Sequence, residues 1–83
     1  MLFKKDKPTD IQQVYQASAW LGKSEFQVFA DAWTAWYNET PSEKRIESYF
    51  IDFLGQGSVP FWVRNYVRFI LNRKDLIKKE KKR

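Results

Sequence analysis

The chain contains no cysteine and no histidine among its 83 residues. The first absence excludes disulfides and thiolate metal sites. The second removes the commonest metal ligand and the side chain that most often moves protons near neutral pH. Small domains usually lean on such staples, so this one must be held together by packing. Glycine and proline are scarce as well, three of each, and each marks a position where the backbone does something specific. Apolar runs are short, none approaching the roughly 20 residues that cross a bilayer. The opening MLFKKDKP has lysines with no apolar stretch behind them, which does not fit a secretory leader. The expected compartment is therefore the cytoplasm, and the Asn38-Glu39-Thr40 sequon is expected to be accidental.

What the chain has in quantity is aromatic surface, with seven Phe, four Tyr and four Trp. Each of these rings buries more area than an aliphatic side chain. Disordered chains are poor in them, so at this length the expectation is one small folded domain. With so many rings in so little interior, some must stay partly exposed. Trp36, Tyr37, Phe61 and Trp62, nearest the ends of the expected helices, are the candidates.

The start and stop signals define four helices. Thr9 and Gln12, Ser24 and Gln27, and Thr40 and Glu43 each have capping-box spacing. Pro41 and Pro60 suit a first helical turn, and Gly22 and Gly55 follow the first and third segments as stop signals. Between these marks the apolar residues step by three and four: Ile11, Val14, Tyr15 and Leu21 in the first segment, with only Ser18 polar on that face; Phe26, Phe29, Ala30, Trp33, Trp36 and Tyr37 in the second; Ile46, Tyr49, Phe50, Phe53 and Leu54 in the third. These spacings predict helices at about 10–21, 25–38, 41–54 and 60–72. Their short connections predict an all-α, small four-helix domain over 1–72, followed by a basic C-terminal tail, 73–83, that either ends the helix or extends it.

On a helical wheel, Trp62, Val63, Tyr66, Val67, Phe69 and Ile70 form one apolar face of the fourth segment. Arg64, Asn65 and Arg68 lie opposite, with Phe61 and Leu71 among them as apolar exceptions. The last twelve residues carry Arg73, Lys74, Lys78, Lys79, Lys81, Lys82 and Arg83 against Asp75 and Glu80, which accounts for the whole net charge of +5. Two readings follow. In one, a core helix ends in a solvated tail. In the other, Arg64, Arg68 and the tail form an anion-binding strip, with Phe61 and Leu71 as apolar contacts. A protein partner, nucleic acid bound through its phosphates, and an anionic membrane surface all fit such a strip. Residues 24–54 carry a net charge of −4, so the tail also has a complement within the chain itself, and self-association fits too.

The stretch ASAWLGKSEFQV, Ala17 to Val28, resembles a helix-turn-helix, with Gly22 in the turn and Ser24 capping a second helix. The resemblance implies DNA recognition by the helix from Glu25 to Asn38. That helix carries Glu25 and Asp31 and no Lys or Arg, which suits a polyanionic groove badly. Lys23 and Ser18 also stand where the motif usually has apolar residues. A tight αα-hairpin explains Gly22 and Ser24 without DNA.

Catalytic parts are few. Glu43 and Glu47, four apart, fit the start of a helix, and Gly55-Gln56-Gly57-Ser58 has neither the strand nor the Lys of a phosphate loop. No imidazole is available to activate Ser24, Ser42, Ser48 or Ser58. The expectation is a non-enzymatic interaction module or accessory subunit, with no cofactor and no metal, that binds a larger protein through Trp36, Tyr37, Phe61, Leu71, Arg64, Arg68 and the cationic tail.

Overall fold

Thr9 opens the first helix in the expected manner. Its hydroxyl accepts from the Gln12 N–H at 3.1 Å, and its own N–H donates to Gln12 Oε1 at 2.9 Å. The computed structural model describes residues 9–81, with side chains described over 9–73. The described chain forms α1 (Asp10–Leu21), α2 (Glu25–Tyr37), α3 (Glu43–Gln56) and α4 (Phe61–Lys81), with no strand. Gly22 leaves α1 in the left-handed region at φ 69°, and the Ser24 hydroxyl then caps α2 through the Gln27 N–H at 3.1 Å. Asn38 ends α2 with φ 57°, a conformation its short polar side chain tolerates.

The third helix sits two residues later than its sequence signals suggest. Ser42, not Thr40, is the cap, its hydroxyl accepting from the Arg45 N–H at 3.2 Å. Pro41 consequently stands outside the helix. At the far end Gly55 remains helical, and Gly57 carries the left-handed cap at φ 72°. Either glycine fits the sequence; tertiary contact separates them. A side-chain carbon at Gly57 would lie 2.8 Å from Ile11 Cδ1, whereas at Gly55 it would meet nothing. The chain crosses close beside α1 at Gly57, and its positive φ there favours glycine. Pro60 precedes α4, its carbonyl accepting from both Val63 and Arg64 N–H at 3.0 Å.

Phe29 is the centre of the core. Its ring lies edge-on to Phe50 at 5.4 Å and to Trp62 at 6.2 Å, and tilted against Phe53 at 5.2 Å. Trp62 continues the cluster edge-on to Trp33 at 5.3 Å and to Tyr49 at 5.1 Å. Edge-to-face rings add roughly 0.5–1.5 kcal/mol per pair to their area burial, so this ladder replaces the missing staples. Val14, Ala17, Val28, Val63 and Val67 fill the space around it with no exposure. Helix α4 packs along α1 and α2, and α3 packs on α2.

Five residues depart from their expected side of the core, Ile11 and Tyr15 of α1 among them, both exposed at its outer edge. Trp62 is buried, not exposed, because it is the ring that joins α2, α3 and α4. Leu54 is exposed because α3 turns it away from the side that packs on α2. Phe69, counted on the apolar face of α4, is also largely exposed. Among the described residues no helix is long and apolar enough to cross a membrane.

Candidate functional site

An apolar groove of about 200 Å³ opens between α2 and α4. Sequence explains why it is open. Ala32 and Ala35 face α4 from α2, and their short side chains leave a trough that larger residues would fill. Buried Trp62 forms the floor with Ala32, while Trp36 and Phe69, 50% and 56% exposed, stand at the rim; Asn65 and Tyr66 complete the α4 side. Phe61 meets Trp36 edge-on at 5.0 Å, extending the aromatic rim past the start of α4, and Tyr37 lies 4.2 Å from Trp33 at the end of α2. Trp36, Tyr37 and Phe61 are thus exposed, as their places near helix ends suggest.

Arg73, one turn beyond Phe69, places its guanidinium carbon 5.5 Å from the Phe69 ring centroid at the groove rim. A cation over an exposed ring fixes both side chains in one geometry. The groove therefore combines bare rings with a positive charge at its C-terminal end.

Arg64 and Arg68 point elsewhere. Both turn toward Asp10 at the start of α1: Arg68 Nη2 lies 3.2 Å from Asp10 Oδ1, and Arg64 Nε 4.0 Å from Oδ2. Arg64 is half-buried and also donates to the Val59 carbonyl at 3.4 Å. Leu71, next to Arg64 on the wheel, is half-buried against the core and is not an exposed contact. Helix α1 lies along that side of α4, where Arg64 and Leu71 are half-buried while Arg68 stays exposed beside Asp10. Within the strip read from the sequence, one carboxylate faces two guanidinium groups. Lys74, Lys78, Lys79, Lys81, Lys82 and Arg83 fall outside the described side chains.

The α1–α2 turn is satisfied internally. The buried Ser18 hydroxyl donates to the Lys23 carbonyl and lies 3.2 Å from Glu25 Oε2. Lys23 Nζ reaches Asp31 at 2.7 Å, and Gln27 donates to the same carboxylate at 2.9 Å. The hydrogen bond to Asp31, followed by its charge, raises the Lys23 pKa; burial, followed by the Asp31 charge, raises that of Tyr66. Ser18 and Lys23, which depart from the helix-turn-helix pattern, are here the residues that fasten the hairpin.

A second hollow, about 330 Å³, lies between α2 and the segment entering α3. Its polar lining is largely engaged already: Asp31 with Lys23 and Gln27, Thr34 with the Ala30 carbonyl, and Ser42 as the α3 cap. The α2/α4 groove differs in presenting apolar surface that nothing among the described residues covers. Sequence reasoning missed its two decisive features, the alanine trough and the exposure of Phe69. It also missed the Arg45 guanidinium, 5.4 Å over Trp33.

No family model, curated protein or solved structure matches this chain. Its function has to be argued from its own surface.

Proposed function

We propose that the chain is a small helical protein-interaction module whose docking face is the α2/α4 groove. The observation that carries this reading is the pairing of half-exposed Trp36 and Phe69 across a trough of small residues. Trp and Arg are among the residue types that dominate binding energy when they become desolvated at an interface. Pockets of this kind take one or two apolar side chains from a partner segment.

Charge selects among segments. Arg73 stands at the C-terminal end of the groove, and the sequence beyond it is strongly basic. The partner segment is therefore apolar with carboxylates one helical turn away, since complementary potentials set orientation and association rate. Nucleic-acid phosphates would use the positive charge and leave the alanine trough without a role.

The test is capture by the immobilised chain from cells that express it, followed by direct titration of the purified captured protein. Binding is expected to survive moderate salt and to fail with Trp36→Ala. Equal binding by the Trp36→Ala chain would reject the groove as the docking face.

A further inference from the structure

We infer that the segment seated in the α2/α4 groove is α3 of a second copy of this chain, docked head to tail. The inference rests on reading that groove as a docking face and names its occupant.

The most exposed large apolar side chains of the described residues are Leu54 at 63%, Ile51 at 60% and Phe69 at 56%. Two belong to α3 and one to the groove rim on α4, so the chain carries two separate bare surfaces. Each has charge beside it, of opposite sign. On α3, Glu43, Glu47, Ile51 and Leu54 recur at intervals of four, four and three, and all four are exposed, so they form one outward stripe that is acidic at its start and apolar at its end. On α4, Phe69 is followed four residues later by Arg73, and the basic run comes next.

These two orders match when the helices run antiparallel. Four residues of helix advance about 6 Å, so Phe69 against Ile51 and Leu54 brings Arg73 opposite Glu47. Glu43, one turn further, then faces the direction of the lysine-rich sequence. A parallel arrangement would set base beside apolar residues and acid beside Phe69. Residues 24–54 and the last twelve residues, net −4 and +5, supply the longer-range attraction.

The two faces differ, so the contact is heterologous and each bound pair retains one free face of each kind. Two helical stripes of this length fall at the low end of specific interfaces, below about 1,200 Å². Association is therefore weak, concentration-dependent, and open to competition by another protein segment of the same chemistry.

Sedimentation velocity on the full chain tests this. The expected result is monomer at low micromolar concentration and growing oligomers toward millimolar. Raising salt from about 0.1 M to about 1 M, where the Debye length falls from about 10 Å to about 3 Å, is expected to weaken association several-fold. Ile51→Asp removes the α3 face and Phe69→Asp the groove face; each variant is expected to remain monomeric with an unchanged helical circular dichroism spectrum. Mixed, they are expected to form a one-to-one heterodimer that grows no further, since one intact face of each kind remains. A wild-type chain that stays monomeric throughout, oligomers that persist in either variant, or variants that fail to pair when mixed would each overturn the inference. The groove reading is judged separately, by partner binding to the monomeric Ile51→Asp chain, whose groove is intact.

Discussion

Asp10 lies 3.2 Å from the Arg68 guanidinium, joining the first turn of α1 to the middle of α4 across 58 residues of sequence. The contact separates the positive charge of α4 into two parts. Arg64 and Arg68 are turned toward α1, while Arg73 stands free of that carboxylate at the groove. A surface that looks uniformly cationic in sequence is divided in space by one side chain.

Replacing Asp10 by Asn tests that division. Exposed ion pairs contribute about 0.2–1 kcal/mol and a first-turn carboxylate about 0.3–1 kcal/mol, so Asp10→Asn is expected to cost about 1 kcal/mol. Thermal melting should fall by about 4–8 °C for each kcal/mol lost. Retention on heparin, through its sulfate groups, should rise as Arg64 and Arg68 are released. An unchanged melting temperature would mean that the contact contributes nothing.

The three glycines give a graded series by chemical denaturation. Gly55→Ala lies within α3 with open space around it, and should stabilise by about 0.5–1 kcal/mol. Gly22→Ala, at φ 69° with no close neighbour, should cost about 1–2 kcal/mol. Gly57→Ala meets the same backbone penalty plus the contact with Ile11, and should be the most damaging of the three. If Gly55→Ala proved the worst, α3 would end two residues earlier, where its sequence first suggests.

That ambiguity shows what the sequence carries and what it does not. The starts of α1 and α2 are legible because Thr9 and Ser24 each stand as one strong cap with no competitor nearby. The start of α3 has two hydroxyl caps two residues apart, and its end two glycines two residues apart, so local rules cannot choose. The cap falls at Gly57, whose backbone passes close to Ile11, a proximity between distant segments that local spacing does not report. Phe69 was misplaced for a related reason. Periodicity sets it next to Trp62, but α2 opposes the middle of that side of α4 with the small Ala32 and Ala35, and helix spacing in one segment says nothing about the size of the residues opposite.

Alkaline pH should destabilise the fold through two groups. Tyr66 is raised above its ordinary 10.0 by burial and the nearby Asp31 carboxylate, so the folded state keeps its proton after the unfolded state has lost it. Lys23 is raised above 10.5 by the hydrogen bond to Asp31 and its charge, so the pair favours folding below that value and stops doing so as pH rises through the folded pKa. Both therefore make stability fall as pH climbs above about 10. Tyr66→Phe should lessen the fall and remove from the tyrosinate absorbance titration a phenol that ionises above its ordinary value. A pH-independent melting temperature between 9 and 11 would contradict the assignment.

Core and groove rings should separate cleanly. Phe29→Ala removes the ring that meets Phe50, Phe53 and Trp62, and should cost about 3–5 kcal/mol. Trp36→Ala removes a half-exposed ring in edge contact with Phe61, and about 1 kcal/mol is expected. Comparable losses by urea titration would show Trp36 to be a structural residue.

The central claim, that the α2/α4 groove is a protein-docking face, is tested most directly in the monomeric Ile51→Asp background, where self-association cannot contribute. Immobilised Ile51→Asp and Ile51→Asp/Trp36→Ala chains would be compared for capture, and the captured protein purified and titrated against both. The groove account predicts direct binding to the first chain and its loss from the second, with both chains equally helical. The same affinity for both chains would contradict it.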